Sequence, residues 1–206
     1  MNLRIFYMVF VSVFFISSCK ASRNVANPST TSSFPAAEFY GDSWNTRYVR
    51  LNSDPRPSGA VTLDLVPAET SGFVMPVCGR VMSEFGRRNG RMHSGIDISM
   101  TLEQPVYSAF DGMVRIAGEF GDYGKMVVIR HHNGLETLYS HLNSIAVTLN
   151  QQVKAGDRIG GGGRTGNATG VHLHFEVRFM GEPLNPRLII DFENCTLKSE
   201  TMIVDF

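Results

Sequence analysis

The chain contains 206 residues, of which 43% are hydrophobic, and its 19 basic side chains balance 19 acidic ones. A chain of this length can bury one good core, so it predicts a single domain with a less ordered segment and leaves little room for two full domains. The balanced charge lacks the basic excess typical of nucleic-acid-binding proteins, so no nucleic-acid partner is expected.

The N-terminal residues have the layout of a secretory signal. Arg4 is followed by an apolar run over residues 5–16 and then by small residues that end at Cys19. The run is too short to cross a bilayer comfortably and predicts a cleaved signal over residues 1–18, with an uncleaved membrane anchor as the alternative. The position of Cys19 resembles that of the lipidated cysteine in lipoprotein signals, which predicts a membrane-anchored lipoprotein of the cell envelope that faces the periplasm.

Two further cysteines, Cys78 and Cys195, are present. In an oxidising envelope they could pair as a disulfide, or they could remain two separately buried thiols, and the sequence favours neither alternative. No C-x-x-C spacing is present.

Composition divides the rest of the chain into four segments. Residues 19–37 are mainly small and polar and predict a flexible tether, because they cannot bury enough apolar surface to offset the entropy of ordering. Residues 38–71 regain aromatic side chains and predict an extension that packs on the outside of the following domain, with a strand over residues 61–66. Residues 72–192 are predicted to form that domain, and residues 193–206 a C-terminal strand or tail.

The domain is predicted to be mainly β. Short β-branched runs such as residues 113–117, 125–131 and 172–179 alternate with glycine-bearing turns, and almost no segment keeps a helical apolar period. Asn133-Gly134 lies between two such runs and predicts a two-residue hairpin turn. These patterns favour two antiparallel β-sheets that form a groove.

One segment predicts two imidazoles and a carboxylate side by side. If residues 172–179 form a strand, its two-residue period points His172, His174 and Glu176 to one face while the alternating apolar residues pack behind. Paired imidazoles suit a metal site or an acid–base pair beside a metal, since imidazole is a usual zinc ligand. The H-x-H pattern alone is weak evidence, because most single histidines are ordinary core or surface residues.

His93 and Asp97 could join this site only if the chain bends between them. In a straight strand their Cα atoms would lie about 13 Å apart, too far for zinc bonds of about 2.0–2.2 Å through such short side chains. Gly95 is predicted to supply the bend, because glycine reaches backbone angles closed to other residues and leaves room beside an ion.

His141 ends the strand that follows the predicted turn. Alternation puts it on the same face as Tyr139 and opposite Leu138 and Leu142, so a third strand would bring an imidazole to the groove. His131 and His132 are interpreted as residues that lead into the hairpin turn.

A series of short motifs resembles the lysostaphin-type, LytM-like zinc endopeptidases, in the order that this family shows. They are Ser83-Glu84-Phe85-Gly86-Arg87-Arg88, His93-Ser94-Gly95-Ile96-Asp97, Pro105-Val106 with Ala109, Asp111-Gly112, Tyr139-Ser140-His141-Leu142, residues 153–160, and residues 165–170 running into His172-Leu173-His174-Phe175-Glu176. The resemblance covers residues 73–190, with Ala168 where serine is usual. It implies a barrel sandwich like the duplicated hybrid motif.

The resemblance also implies roles for five residues. His93, Asp97 and His174 would be the three protein ligands of Zn²⁺, with water in the fourth position, and His141 and His172 would be the catalytic pair that deprotonates this water and stabilises the oxyanion. The implied substrate is the peptidoglycan stem peptide or its cross-link, and D,D-endopeptidase action by a monomer is expected.

Two other functions fit the same family or the same residues. Some relatives have lost zinc ligands and act as binding modules that activate cell-wall amidases, whereas this chain keeps all five positions. A structural zinc module would have four protein ligands. Arg87, Arg88 and Arg91 precede the first implied ligand and could receive substrate carboxylates, or they could form a solvated loop.

Overall fold

A computed structural model of the chain describes residues 35–49, 59–88 and 90–205. The predicted signal, Cys19 and residues 19–34 of the predicted tether lie outside the described residues. At the end of that predicted tether, Ala36 is buried and a short helix begins at Ala37. The described part of the chain contains no helix that is long and apolar enough to cross a membrane.

The described residues form one short helix, 17 strands and two 3-10 turns. The helix α1 is Ala37–Tyr40, and the 3-10 turns are Gly121–Tyr123 and Pro186–Leu188. The strands are β1 (Val61–Asp64), β2 (Val81–Ser83), β3 (Gly86–Arg88), β4 (Arg91–His93), β5 (Ile96–Ser99), β6 (Pro105–Tyr107), β7 (Gly112–Phe120), β8 (Gly124–His131), β9 (Leu135–Leu142), β10 (Ser144–Ile145), β11 (Gln152–Val153), β12 (Arg158–Gly161), β13 (His172–Phe179), β14 (Glu182–Leu184), β15 (Ile190–Asp191), β16 (Thr196–Leu197) and β17 (Thr201–Val204).

The strands pair into antiparallel sheets, so the prediction of a mainly β, antiparallel fold is confirmed. The largest sheet has the strand order β11-β7-β8-β9-β13-β5-β2, with β14 added beside β13, and a three-stranded sheet has the order β10-β12-β6. Three small pairs, β1-β17, β3-β4 and β15-β16, complete the described sheets. Strand β1 lies within the strand predicted over residues 61–66, but the prediction of two sheets did not include these pairs, because pairing depends on two segments and not on the pattern of one.

The hairpin between β8 and β9 has a three-residue loop, not the predicted two-residue turn. Arg130 lies opposite Glu136, so residues 132–134 form the loop. Gly134 has a φ of 88°, whereas Asn133 is not in the left-handed region. A two-residue type I′ turn needs both central residues at positive φ, while a three-residue loop needs only its last residue there.

The alternation predicted for residues 172–179 is confirmed by β13. Leu173, Phe175 and Val177 are buried in the main hydrophobic cluster. The residues between them point to the opposite face of the large sheet, where a second, smaller cluster contains Met126 and Leu138. Burial of the apolar set therefore fixes which face of the sheet receives the polar side chains of β13.

The segment 35–49 is attached to the large sheet by buried contacts. Tyr40 is 2% exposed, its hydroxyl donates to the Gly134 carbonyl at 3.0 Å, and it accepts from the Met180 amide at 3.0 Å. The Arg130 guanidinium lies 3.7 Å from the centre of the Tyr40 ring. This part of the chain is therefore buried among residues of the sheet.

Three fully buried charges lie under the same segment. Arg115 and Arg130 both contact Glu136 Oε1, at 2.7 and 2.9 Å. Two arginines face one carboxylate, and backbone carbonyls accept hydrogen bonds from both guanidinium groups. Arg115 donates to the Tyr48 carbonyl at 2.9 Å and Arg130 to the Ser43 carbonyl at 2.6 Å. A buried ion pair needs such additional hydrogen bonds to offset the cost of leaving water.

The C-terminal residues are also tied to the fold. Strand β17 pairs with β1 in the register Val61↔Val204, and Cys195 forms a disulfide with Cys78 across 117 residues of chain. Of the two alternatives left open for these cysteines, the structure therefore shows the disulfide.

The Tyr40→Phe variant tests the attachment of the N-terminal segment. It leaves the buried Gly134 carbonyl and Met180 amide without their partner, so the free energy of unfolding is expected to fall by about 1–3 kcal/mol. Tyr48→Phe, at a side chain that is 65% exposed, is the matched control and should change it by less than about 0.5 kcal/mol. Urea unfolding measures both, and equal effects would show that the buried contacts of Tyr40 do not stabilise the fold.

Candidate metal centre

Three side chains from separate parts of the chain direct one donor atom each to a common point. His93 Nε2 lies 3.1 Å from Asp97 Oδ1 and 3.1 Å from His174 Nδ1, and His174 Nδ1 lies 2.9 Å from Asp97 Oδ1. The structure thus brings together the three residues for which the sequence resemblance implied a shared ion.

The register of the sheet and the interruption between strands β4 and β5 position these three residues. Asp97 on β5 lies directly opposite His174 on β13. His93 ends β4, and residues 94 and 95 separate it from β5, which provides the predicted bend. The reason for Gly95 differs from the prediction, because its φ is not positive; a Cβ there would lie 2.3 Å from the Phe175 carbonyl oxygen. The glycine is needed for close contact with β13.

The far side of each imidazole fixes which nitrogen faces the cluster. His93 Nδ1 lies 2.7 Å from the Glu84 carbonyl oxygen, and His174 Nε2 lies 3.0 Å from Glu176 Oε1. Because both partners only accept hydrogen bonds, these nitrogens carry the protons, which leaves the lone pairs of the other two nitrogens directed at Asp97.

Three acceptors that face one another repel unless a positive charge lies between them. Their separations are comparable with the spacing of about 3.3 Å between donors around a tetrahedral zinc ion. Two imidazole nitrogens and one carboxylate oxygen are also a usual donor set of catalytic zinc, which keeps a further position open. The residues present therefore fit zinc.

The cluster attracts positive charge. Burial alone would lower the pKa of His174, but its hydrogen bonds to the Asp97 and Glu176 carboxylates and their charges raise that pKa to about 9. Burial alone would raise the pKa of Asp97, but hydrogen bonds from His174 and His93 hold it well below its usual range. In the metal-free protein a proton on His174 supplies the charge, and a bound metal would displace it.

Further hydrogen bonds hold the Glu176 carboxylate, which accepts the hydrogen bond from His174. Glu176 is fully buried, and besides His174 its carboxylate accepts from the Tyr123 hydroxyl at 3.0 Å and from the Arg178 guanidinium. The positions of these polar partners lock the orientation of the His174 ring.

The carbonyl that binds His93 is held from the C-terminal segment. Arg187 binds both carboxylate oxygens of Glu84 at 2.9 Å, and it also contacts Glu193 at 3.0 Å. This two-pronged pairing holds the Glu84 residue, whose backbone oxygen bonds His93. Sequence reasoning missed Arg187, and its only sequence signal is its charge.

His141 and His172 form a second imidazole pair beside the cluster. Their ring centroids lie 4.8 Å apart, and the His141 ring lies 5.9 Å from that of His174. His141 Nδ1 donates to the Thr165 carbonyl at 2.9 Å and His172 Nδ1 to the Gly170 carbonyl at 3.0 Å. Both therefore present Nε2 to the groove, and His172 Nε2 lies 3.7 Å from Asp97 Oδ1.

His141 faces the groove, but the alternation that was predicted to put it on the same face as Tyr139 and opposite Leu142 was wrong. Tyr139 is buried in the main core and Leu142 lies there too, whereas His141 faces the groove. The alternation fails because β9 carries an extra residue where it pairs with β8: Val127 lies opposite Tyr139, but Lys125 lies opposite Leu142. His141 takes a φ of 61° at this irregularity, which redirects its side chain.

The cluster and the imidazole pair line one open groove. Asp122, Tyr123 and residues 167–169 line one part of it, and Arg88 and Met92 of the β3–β4 hairpin line another. Arg87 does not line this groove, and neither do the described residues of the N-terminal segment, 35–49. His131 is buried away from it, and its Nε2 lies 2.6 Å from the Thr137 hydroxyl, which agrees with its interpretation as a residue without a role in the site.

The antiparallel β fold with a His-Asp-His cluster in an open groove is that of the lysostaphin-type peptidases. Residues 91–186 match the model of peptidase family M23, so this part of the chain is similar to that family.

Named relatives are similar over part of their length. The DD-carboxypeptidase/endopeptidase Mpg of Neisseria meningitidis is 42% identical over 126 residues, which are 57% of this chain and 29% of the relative. The lipoprotein NlpD/LppB homolog of Pseudomonas aeruginosa is 38% identical over 131 residues, 63% of this chain and 43% of the relative. The crystal structure of a zinc-containing peptidase from Vibrio cholerae has a TM-score of 0.50 and 32% identity, and the match covers 61% of this chain and 39% of that one. The chain spans less than half the length of each of these relatives.

The charge on His174 gives a testable pH dependence. After treatment with a chelator, His174 is expected to titrate with a pKa near 9, against an ordinary value of 6.5. Because the folded pKa is raised, the resulting stabilisation is fully present below about pH 6.5 and is lost as the pH rises through about 9. NMR of labelled histidine and thermal unfolding from pH 6 to 10 measure both effects.

Glu176→Gln provides the comparison for this titration. It removes one of the two charges that raise the His174 pKa, so that pKa should fall in the variant. A His174 signal that titrates near 6.5 in the unmodified protein would contradict the described electrostatics of the cluster.

Proposed function

We propose that this protein is a zinc-dependent peptidoglycan endopeptidase that cleaves stem-peptide or cross-link bonds, with D,D-endopeptidase action. The single observation that carries the proposal is the convergence of three acceptor atoms, His93 Nε2, Asp97 Oδ1 and His174 Nδ1, at the base of a groove that two further imidazoles face. The activity in the name of the Neisseria relative and the zinc in the Vibrio structure support it.

His93, Asp97 and His174 would hold the ion. Zinc bound there would lower the pKa of a coordinated water to about 7 and polarise the scissile carbonyl. Glu84 and Glu176 contribute by holding the ring orientation of the two histidines, and each would also make the coordinating nitrogen more basic.

His141 fits the role of general base. Its burial, together with the nearby His172 and His174, lowers its pKa, so it is neutral near pH 7. Its Nδ1 proton is committed to the Thr165 carbonyl, which leaves a lone pair on Nε2 to accept the proton of the attacking water.

His172 fits the role of hydrogen-bond donor to the developing oxyanion. With Nδ1 bonded to the Gly170 carbonyl, an imidazolium form of His172 would direct its Nε2–H into the groove, where Nε2 lies 3.7 Å from Asp97 Oδ1. Donation from a fixed position costs no reorganisation as the charge develops. The same proton can then pass to the leaving amine.

Two variants separate the proposed roles. His174→Ala removes one of three ligands and is expected to abolish stoichiometric zinc binding. His141→Ala is expected to keep zinc and to lower turnover by about 10²–10⁴-fold, as for loss of a general base. Zinc content by elemental analysis and digestion of muropeptides followed by mass spectrometry measure the two effects, and equal loss of metal in both variants would refute the division of roles.

A non-catalytic activator is the second candidate function, because one relative is named an NlpD/LppB homolog and another a murein hydrolase activator. The donor cluster and both further histidines are present here, which favours the enzyme. A purified protein that binds no stoichiometric zinc and cleaves no muropeptide, yet stimulates an amidase, would establish the activator.

We also propose that residues 1–18 are a cleaved signal and that lipid on Cys19 anchors the protein to a membrane, with the following residues up to 34 as tether and residues 72–192 as peptidase domain. The layout of the N-terminal residues and the name of the Pseudomonas lipoprotein support this. Cys19→Ala is expected to move the protein from the membrane fraction to the soluble envelope fraction on immunoblots. Retention of the variant in the membrane would contradict lipidation.

A further inference from the structure

We propose that Arg88 forms a subsite for a free carboxylate on the leaving residue, the one whose amine is released when the scissile amide is hydrolysed. The inference rests on the proposed peptidase function and adds to it the chemical group that selects the substrate.

Arg88 lies on the groove side of the donor cluster. Its Nη2 is 3.6 Å from Oδ2 of Asp97, while Oδ1 of the same carboxylate faces His93 and His174. Its Nη1 donates to the Ser83 hydroxyl, and 49% of the side chain is exposed. The hydrogen bond to Ser83 holds the guanidinium in place, and because the contact with Asp97 is longer than a hydrogen bond, Nη2 can still pair with a ligand in the groove.

The position matches the spacing of the substrate groups. With about 2.2 Å between the oxygens of a carboxylate, Nη2 lies within about 6 Å of the Asp97 oxygen at the cluster. In a peptide, the carboxylate carbon of the leaving residue is three bonds, or at most about 4.3 Å, from the scissile carbonyl carbon. These distances allow the carboxylate beside a scissile carbonyl at the cluster to come within hydrogen-bond reach of Arg88, at about 2.8 Å.

A single chemical feature unites the two activities in the name of the Neisseria relative. In carboxypeptidase action the leaving residue is chain-terminal, so its carboxylate is free by definition. In cleavage of a cross-link the leaving amine meets the same requirement where it belongs to a diamino diacid, which has a free carboxylate on the carbon that bears that amine. In both reactions water adds hydroxyl to the acyl carbon and a proton to the amine as the carbon–nitrogen bond breaks.

The other arginines of the hairpin do not share this position. Arg91 lies opposite Arg88 in the β3–β4 pair and lines an adjoining pocket, and Arg87 lines neither. Arginine suits the task because its planar fork pairs with both oxygens of a carboxylate. Of the two interpretations left open by the sequence, the structure supports carboxylate binding for Arg88 and a solvated side chain for Arg87.

The test uses two peptides that differ in one group. One is a muropeptide with a free carboxylate on the leaving residue, and the other carries the corresponding amide. The zinc-loaded full chain is expected to cleave the free acid with a kcat/KM at least about tenfold higher, the usual range for a charge-assisted hydrogen bond. Arg88→Gln should lose this preference through slower cleavage of the acid alone, and Arg87→Gln, which removes the same charge beside the groove, should keep it.

Two further measurements keep the result interpretable. Zinc content should be stoichiometric in all three proteins, because Arg88 is not a ligand. In chelator-treated protein, which does not turn the peptides over, the free acid but not the amide should shift the NMR signal of the Arg88 guanidinium. Binding of the acid should weaken at least about tenfold in Arg88→Gln.

The outcomes separate the subsite from the enzyme. Equal cleavage of acid and amide by the unmodified protein, or an equal loss on both peptides in Arg88→Gln, would overturn the subsite and leave the peptidase intact. Absence of zinc binding and of cleavage in the unmodified protein would overturn the proposed function and, with it, the role given to Arg88.

Discussion

The groove depends on one repeated interaction, a hydrogen bond from the outer nitrogen of each imidazole to a fixed acceptor. His93, His141 and His172 each donate to a backbone carbonyl, and His174 donates to the buried Glu176 carboxylate. Each bond fixes a ring plane, so the other nitrogen of every imidazole points into one space before any ligand enters. The close approach of His93 Nε2, His174 Nδ1 and the Asp97 carboxylate is what makes the groove attract a cation.

The site could be predicted as far as its geometry follows from periodicity. The faces of His174 and Glu176 follow from the alternation in β13, and burial of Phe175 among apolar neighbours enforces it. The face of His141 could not be predicted, because the extra residue in β9 depends on pairing with β8, and pairing is a property of two segments. The backbone acceptors could not be predicted from the sequence either, because every residue has a carbonyl and nothing in the sequence marks that of Glu84 as the partner of His93.

Part of the support of the groove comes from outside the residues matched to the family model. Arg187 follows the last residue matched to the family model and holds Glu84, while the disulfide to Cys195 ties the same C-terminal segment to the residues before β2. At the other end of the large sheet, carbonyls of the N-terminal segment solvate Arg115 and Arg130. A fragment cut at the limits of the family match would retain the donor atoms and the Glu176 contact to His174, but it would lose Glu84 and Arg187, which orient His93.

The backbone angle of His141 has an evolutionary consequence. A residue with a side chain at a φ of 61° costs of order 1 kcal/mol relative to glycine or asparagine, which enter this region readily. Replacement of the histidine by either residue would relax the chain while removing the imidazole. Once selection for turnover ceases, such a replacement would therefore increase the stability of the fold and remove the proposed general base. A non-catalytic binding module could arise from an enzyme of this fold by a stabilising substitution.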